Sequence, residues 1–325
     1  MAKVWFRAAL ALSGIGFVLT LTGCISDAPR DNPLDPARGI RVSGKVERLY
    51  NNSGIPDAMI KLQPGHFSAL AAADGSFAID HIPAGNYTLS VAATGFREDS
   101  LALELRQSVS ANFKLDALPF FRSISLTTQH ISTFIAPQDS FFVSLAAAAD
   151  DPDNRSDVKT VWYHVAEFGY TDTLFEASPQ EKIFTGELDT GRLGLASIHE
   201  LTGKSFVFYV EDLPGAVSAA EPVYITRIIT DTPRGVAPIN AAVTPPFQLH
   251  WQPLALPYPF TFHIEIKKVN FTFLTLAGEI RNIPANSSAA TFSAALPSGE
   301  YIWLLYVVDE FGNRSRSLEN PFIVP

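Results

Sequence analysis

The chain has 325 residues, 47% of them hydrophobic and 18% charged; a typical globular protein has roughly 25% charged, so this is core-forming material for two or three domains and not a disordered chain. A net charge of −9, with no Lys/Arg run beyond the extreme N-terminus, argues against a nucleic-acid partner, which needs a basic face. The single cysteine removes intramolecular disulfides, so each domain must hold by packing alone.

Lys3 and Arg7 make a positive start, and residues 8–22 form an apolar run of 15. That length suits the hydrophobic segment of a signal peptide and falls short of the roughly 18–20 residues of a spanning helix, although an uncleaved membrane anchor is the alternative. The run ends in Leu21-Thr22-Gly23-Cys24, which resembles the lipobox of bacterial lipoproteins. The resemblance implies that residues 1–23 are a cleaved signal peptide and that Cys24 is lipidated as the mature N-terminus. In that family's sorting rule, Ile25 in place of Asp after the cysteine points to the outer membrane. Several acyl chains would anchor the protein stably, where one chain binds only marginally. Residues 24–38 then read as a Pro-rich tether; its 14 residues after the cysteine reach at most about 45 Å.

From residue 39 to 117 the pattern turns to period two. Val42/Val46, Ala58/Ile60/Leu62, Phe77/Ile79, Tyr87/Leu89/Val91, Leu101/Leu103/Leu105 and Val109/Ala111/Phe113/Leu115 each put apolar side chains on one face of a strand. Asn51-Asn52-Ser53-Gly54, Asp74-Gly75, Pro83-Ala84-Gly85 and Thr94-Gly95 separate them as turns. The series Val42-x-Gly44-x-Val46, Gly54-Ile55-Pro56-x-Ala58-x-Ile60-x-Leu62, Asp74-Gly75-Ser76-Phe77-x-Ile79-x-x-Ile82-Pro83-x-Gly85-x-Tyr87-x-Leu89-x-Val91 and Gly95-Phe96 resembles the carboxypeptidase regulatory-like domain. The resemblance implies a transthyretin-like sandwich within a carbohydrate-binding-like fold group. Its motif residues are turns and core and carry no chemistry.

Residues 118–230 form a second β-rich region: Ile124/Leu126, Phe141/Val143/Leu145, Val161/Tyr163/Val165 and Phe206/Phe208/Val210 alternate, and the spacing predicts an immunoglobulin-like sandwich. Residues 192–202 read as a short helix or a loop. Residues 231–325 resemble a fibronectin type III domain through Phe247-x-Leu249-x-Trp251, Phe260-x-Phe262-x-Ile264-x-Ile266 and the corner Leu296-Pro297-Ser298-Gly299-Glu300-Tyr301. The resemblance implies that the Tyr301 hydroxyl bonds back to the backbone just upstream.

The chain offers no catalytic signature: no Gly-x-Ser-x-Gly elbow and no phosphate-binding glycine loop. His199-Glu200 opens a zinc-protease motif, but position 203 is Gly where the second ligand is required. His164, His250 and His263 alternate with apolar residues and read as solvent-facing. No cofactor is implied. Four carboxylates, Asp150, Asp151, Asp153 and Asp157, crowd one inter-strand segment, and calcium takes 6–8 such oxygen ligands. The segment lacks EF-hand spacing, and Asp, Asn and Pro also dominate plain turns, so the expectation is a turn without metal and calcium is the alternative. Trp162, Trp251 and Trp303 lie within strand patterns and are expected in cores rather than on sugar platforms. In the proline-stiffened loop 252–259, Leu254, Leu256 and Tyr258 either contact a partner or fold back on the protein itself.

The expectation is an all-β chain of tandem antiparallel sandwiches with no enzymatic activity. It is a lipid-anchored binding or assembly module of the cell envelope, outer membrane favoured, attached to the membrane through the lipid on Cys24. Its partner is another envelope protein or a polysaccharide. The alternative is an accessory carbohydrate-binding lipoprotein of a polysaccharide-utilising system.

Overall fold

The computed structural model describes residues 39–134, 139–271 and 273–325. The expected signal peptide, Cys24 and the tether lie outside the described residues. Strands dominate throughout, as the period-two pattern requires, and the chain is all-β. Its described residues divide into two compact units, 39–94 with 98–115 and 95–97 with 116–325.

In the first unit, the strand Ile40–Arg48 pairs with Ser76–Ile82 on one edge and with Val109–Ser110 and Phe113–Leu115 on the other. A second sheet runs Phe67–Leu70, Met59–Gln63, Gly85–Ala92, Asp99–Leu105. Val42, Val46, Ile60, Leu62, Leu89, Val91 and Leu115 are buried, so the alternation read from the sequence is the core. Leu101 departs from that reading: it is exposed on the terminal strand of its sheet, and of the 101/103/105 series Leu105 alone is buried. The tight turn at Gly75 has a physical reason. Its φ is +81°, and a Cβ there would lie 2.3 Å from the Val46 carbonyl oxygen. Asp74 steadies the turn by accepting from the Ser76 backbone N–H at 3.0 Å.

The second unit is built on one ten-stranded sheet. In order it runs Phe175–Ser178, Ile183–Asp189, Asp139–Asp150, Phe120–Ser132, Arg314–Arg316, Gly299–Asp309, Phe260–Asn270, Phe273–Pro284, with Asn320–Val324 also on Gly299–Asp309 and Ala241–Ala242 on Asn320–Val324. A five-stranded sheet centred on Val158–Val165 and Ser205–Asp212 packs one core with it, around Val143, Leu145, Tyr163, Phe184, Phe206 and Phe208. A three-stranded sheet, Gly235–Ala237, Phe247–Trp251 and Ala289–Phe292, packs the other, around Trp251, Phe262, Ile264, Trp303 and Phe322. The Tyr301 hydroxyl donates to the Pro297 carbonyl at 2.7 Å, the back-bond implied by the corner motif.

The boundary drawn at 230/231 does not separate two compact units. Arg314–Arg316 runs parallel to Phe120–Ser132, pairing Ser315 with His130, and so carries one sheet through both sandwiches. The seam is polar and buried. Asn313 Oδ1 accepts from the Thr128 N–H at 2.8 Å and from its hydroxyl at 3.1 Å, while Asn313 Nδ2 donates to Asp309 at 3.0 Å. His130 lies 3.0 Å from Ser315 Oγ and 3.0 Å from Asp139 Oδ1.

Asn313→Ala would leave the buried Thr128 N–H without its acceptor, a penalty of about 1–3 kcal/mol. In calorimetry of the full chain, the transition of the second unit should drop by several degrees while that of the first stays in place. An unchanged second transition would show that the seam contributes nothing.

Candidate functional site

Five aspartates meet at one end of the second unit's first sandwich. Asp151, Asp153 and Asp157 come from the segment between Asp139–Asp150 and Val158–Val165. Asp212 ends the strand Ser205–Asp212, and Asp116 lies where the chain enters the unit. Asp212 is 0% exposed, Asp157 4%, Asp151 6% and Asp116 8%.

Backbone donors fix their orientation. Asp151 Oδ1 accepts from Asp153 N–H at 2.8 Å, Asp153 Oδ2 from Ala117 N–H at 3.0 Å, and Asp212 Oδ1 from Gly215 and Ala216 N–H at 2.7 and 2.6 Å. Each of these three carboxylates leaves its other oxygen buried without a hydrogen-bond donor, as does Asp116 Oδ2. Burial, with the charges of Asp212, Asp151, Asp153 and Asp157 around it, pushes the Asp116 carboxyl up to about 7. Burial likewise lifts Asp151 to about 6, against the pull of backbone donors, and raises Asp212. Arg97 is the cation acting on Asp212, and its Nη1 donates to the Pro214 carbonyl at 3.3 Å.

The structure revises the acidic set read from the sequence. Asp150 is not part of the cluster: Arg155 lies 3.1 Å and Arg122 3.6 Å from its carboxylate, and Arg155 holds it below its usual range against the opposing effect of burial. Asp116 and Asp212 join it, and sequence reasoning missed both. A signal for Asp212 was present, because it falls in phase with the buried Phe206, Phe208 and Val210. Among the described residues, no three His, Cys, Asp or Glu side chains are placed so that they could hold a metal ion. Asp212 is fully buried and its carboxyl is raised by burial, so it is placed to hold a proton rather than to meet a solute directly.

The other candidates disperse. Leu254, Leu256 and Tyr258 are half-buried and pack on the core of the second unit's other sandwich, with the Arg227 guanidinium 4.0 Å above the Tyr258 ring. The loop 252–259 thus takes the fold-back course. His263, expected in solvent, is buried beside Tyr306, 3.3 Å from Glu279 Oε2. Glu200 caps the one-turn helix Ile198–Leu201, accepting from Ser197 N–H at 3.1 Å, which accounts for the His199-Glu200 pair without a metal. Trp251 and Trp303 are core residues, as expected. Trp162 is not: it lies half-buried on the outward phase of Val158–Val165, stacked on Tyr209 at 5.4 Å and 8°.

Two surface features have no counterpart in the sequence reading. A groove of about 660 Å³ is lined by Ser132, Phe134, Asp139, Arg234, Ile239 and Asn240 among others. The second is the hairpin Phe260–Asn270/Phe273–Pro284, whose turn end displays Phe271, Phe273, Leu274 and Leu276, all exposed.

Residues 41–116 match the family model of the carboxypeptidase regulatory-like domain, about the first described unit and no more. Comparison with curated proteins finds no match. Among solved structures, the chain is similar to a type II cohesin-X-dockerin complex from Acetivibrio cellulolyticus at 15% identity and TM-score 0.22; the match spans 24% of this chain and 58% of that one. It is similar to a Bacteroides uniformis protein whose name proposes carbohydrate binding, at 8% identity and TM-score 0.24 over 58% of this chain and 99% of that one. It is also similar to chicken CNTN1 FN1–FN3 domains at 11% identity and TM-score 0.30, over 84% of this chain and 92% of that one. Likenesses this distant say nothing about a ligand. The class defined here is a tandem β-sandwich protein with a carboxypeptidase regulatory-like domain at its N-terminal side.

The aspartates predict a pH dependence with a definite sign. Asp116 and Asp151 sit above the roughly 3.9 of an unfolded aspartate, so the folded state retains protons that the unfolded state releases. Their contribution to stability is complete below about pH 4 and is lost as pH climbs through about 6 to 7. His263, held below its ordinary value chiefly by burial, tilts the curve oppositely in the same window. The aspartate part is therefore read from the difference between wild type and Asp116→Asn in chelator. From pH 5 to 8 the denaturant midpoint of wild type should fall relative to the variant; a flat or rising difference would contradict the assignment.

Proposed function

We propose that the protein is a non-catalytic binding or assembly module, held at the outer membrane of the cell envelope by lipid on Cys24 and engaging another envelope protein. The observation that carries this reading is the turn end of the Phe260–Asn270/Phe273–Pro284 hairpin. Phe273–Pro284 is the terminal strand of the ten-stranded sheet, a position that proteins blunt with charge or proline to prevent unwanted pairing. Here Glu279, Arg281 and Pro284 blunt the far half of the strand, while its start exposes Phe273, Leu274 and Leu276. Phe271 stands in the left-handed region at φ +50°, a conformation unfavourable for a bulky side chain, with its ring fully exposed. Strain and solvated apolar area both cost stability, and a partner strand laid along this edge would recover the second by covering the phenyl and leucyl groups.

Replacing Phe271, Phe273 and Leu276 together with Ser should leave the melting temperature within a few degrees of wild type, since the side chains touch little. In-cell cross-linking should then lose its products. A variant that keeps all cross-linked partners would remove the hairpin from the account. The anchor is tested separately: Cys24→Ser should abolish lipid labelling and release the protein from membranes, and a mutant that still pellets after a carbonate wash would contradict lipid anchoring.

A second reading, accessory carbohydrate binding, is favoured by the stacked Trp162–Tyr209 pair, whose flat faces suit a sugar ring. Affinity electrophoresis in polysaccharide gels decides it: retardation that disappears in Trp162→Ala, with cross-linking unaffected by the hairpin variant, would replace the first reading.

A further inference from the structure

We infer that the cleft beside Tyr163, in the first sandwich of the second unit, is a binding pocket for a neutral saccharide unit. It is separate from the hairpin contact. It is also separate from the Trp162–Tyr209 pair, since Trp162 lies on the outward phase of Val158–Val165 and Tyr163 on the buried one.

The pocket arises where the chain changes sheets. Tyr170–Thr173 pairs with Val158–Val165 in the five-stranded sheet, and Phe175–Ser178 pairs with Ile183–Asp189 in the ten-stranded one. Leu174 makes the step between them, its N–H held by the Val161 carbonyl at 2.9 Å. Gly186 lets the crossing sit close, because a Cβ there would lie 2.7 Å from Leu174 Cδ2. Beside this crossing lies a cavity of about 440 Å³, within the range of small-ligand sites.

Three observations give the ligand's chemistry. First, Tyr163 lines the cavity, is 1% exposed, and has a buried hydroxyl without a hydrogen-bond partner. A buried hydroxyl left unpaired is costly, and a ligand that bonds to it removes that cost. Second, the lining holds a fixed polar pair. Arg192 Nη1 donates to Asp172 Oδ2 at 2.8 Å, and the Tyr170 hydroxyl donates to the same oxygen at 3.2 Å. Asp189 Oδ1 accepts from the Arg192 N–H at 3.0 Å and so steadies the turn that carries the guanidinium. Such a pair keeps spare N–H donors and carboxylate lone pairs, which neighbouring hydroxyls can use together. Ser144 and Thr185 add hydroxyls to the lining. Third, Phe175 lines the cavity while 75% exposed, offering an apolar face to the C–H side of a pyranose ring.

Charge and solvation exclude the rivals. Arg192 is already matched by Asp172 and by Asp189 at 3.8 Å, and Glu187 brings a further carboxylate to the lining. A phosphate or carboxylate ligand would therefore meet net negative charge, and an ammonium would stand against the guanidinium. A hydrocarbon would desolvate the ion pair and hydroxyls without replacing their hydrogen bonds. A neutral molecule rich in hydroxyls, with one apolar face, answers both requirements.

The test is saturation-transfer NMR on the full chain, with glucose, galactose, mannose, xylose and cellobiose as separate millimolar probes. At least one should receive transfer, and glucose against cellobiose distinguishes a free sugar from a chain end. Tyr163→Phe removes a single atom that has no partner within the protein. It should melt at or above the wild-type temperature while weakening the responding sugar about three- to tenfold. Arg192→Ala and Phe175→Ala should each weaken it too, whereas Trp162→Ala and the hairpin variant should leave it unchanged. The inference is overturned if no probe receives transfer, if Tyr163→Phe and Arg192→Ala bind as wild type does, or if Trp162→Ala abolishes the signal. A Tyr163→Phe variant that melts well below wild type would also overturn it, by showing that the hydroxyl serves the fold.

Discussion

The second unit depends on one constraint: a buried polar seam where Arg314–Arg316 runs beside Phe120–Ser132. A buried donor or acceptor without a partner costs about 1–3 kcal/mol, so the seam is tolerable only when its groups find one another. Asn313, Thr128 and Asp309 satisfy each other, and Arg227 bonds Asp309 at 3.1 Å while covering the Tyr258 ring. Apolar residues would glue the same surfaces together in several registers. The hydrogen-bond pattern accepts one, because sliding either strand would leave several buried polar atoms orphaned together. The loop 252–259 is drawn into this arrangement through Tyr258, so its apolar residues belong to the fold's own packing.

Against that largely satisfied seam, the aspartate cluster is the opposite case. Both are buried polar assemblies in the same unit, yet at the seam Arg316 Nε alone of the described buried side-chain atoms lacks a hydrogen-bond partner, whereas the cluster leaves four oxygens without one. Burial raises the pKa of Asp116, Asp151 and Asp212, so the cluster relieves its charge by holding protons near neutral pH. At the surface, the hairpin end exposes Phe271, Phe273, Leu274 and Leu276, apolar area that adds nothing to the core and on which the proposed partner contact rests.

The first unit was almost wholly legible in the sequence because its information is local. Period-two runs gave the buried faces, and turn residues such as Asp74-Gly75 marked their ends. The tyrosine corner at Tyr301 was legible for the same reason. What could not be read was non-local. Thr128 and Asn313 are 185 positions apart, and no local pattern announces a parallel pair at that separation. The turn at Phe271 also escaped, since nothing in Asn-Phe-Thr resembles the Asn-Gly turn that tight hairpins prefer. His263 and Trp162 were misplaced because alternation tells that two faces exist and not which one a polar or amphipathic side chain takes. For the acidic segment, composition suggested calcium and spacing argued against it; of the two aspartates that join it, Asp212 is announced by its phase with Phe206, Phe208 and Val210, and Asp116 arrives only by folding.

The central claim is that the two later sandwiches form one cooperative body through the polar seam, while the first domain is a unit of its own. Native-state hydrogen exchange followed through a denaturant series tests this most directly. Amides in Val158–Val165 and in Phe260–Asn270 should converge on one common unfolding free energy and denaturant slope, with those of Ile40–Arg48 converging on another. Distinct limiting values for Val158–Val165 and Phe260–Asn270 would mean that the seam joins two bodies that unfold independently.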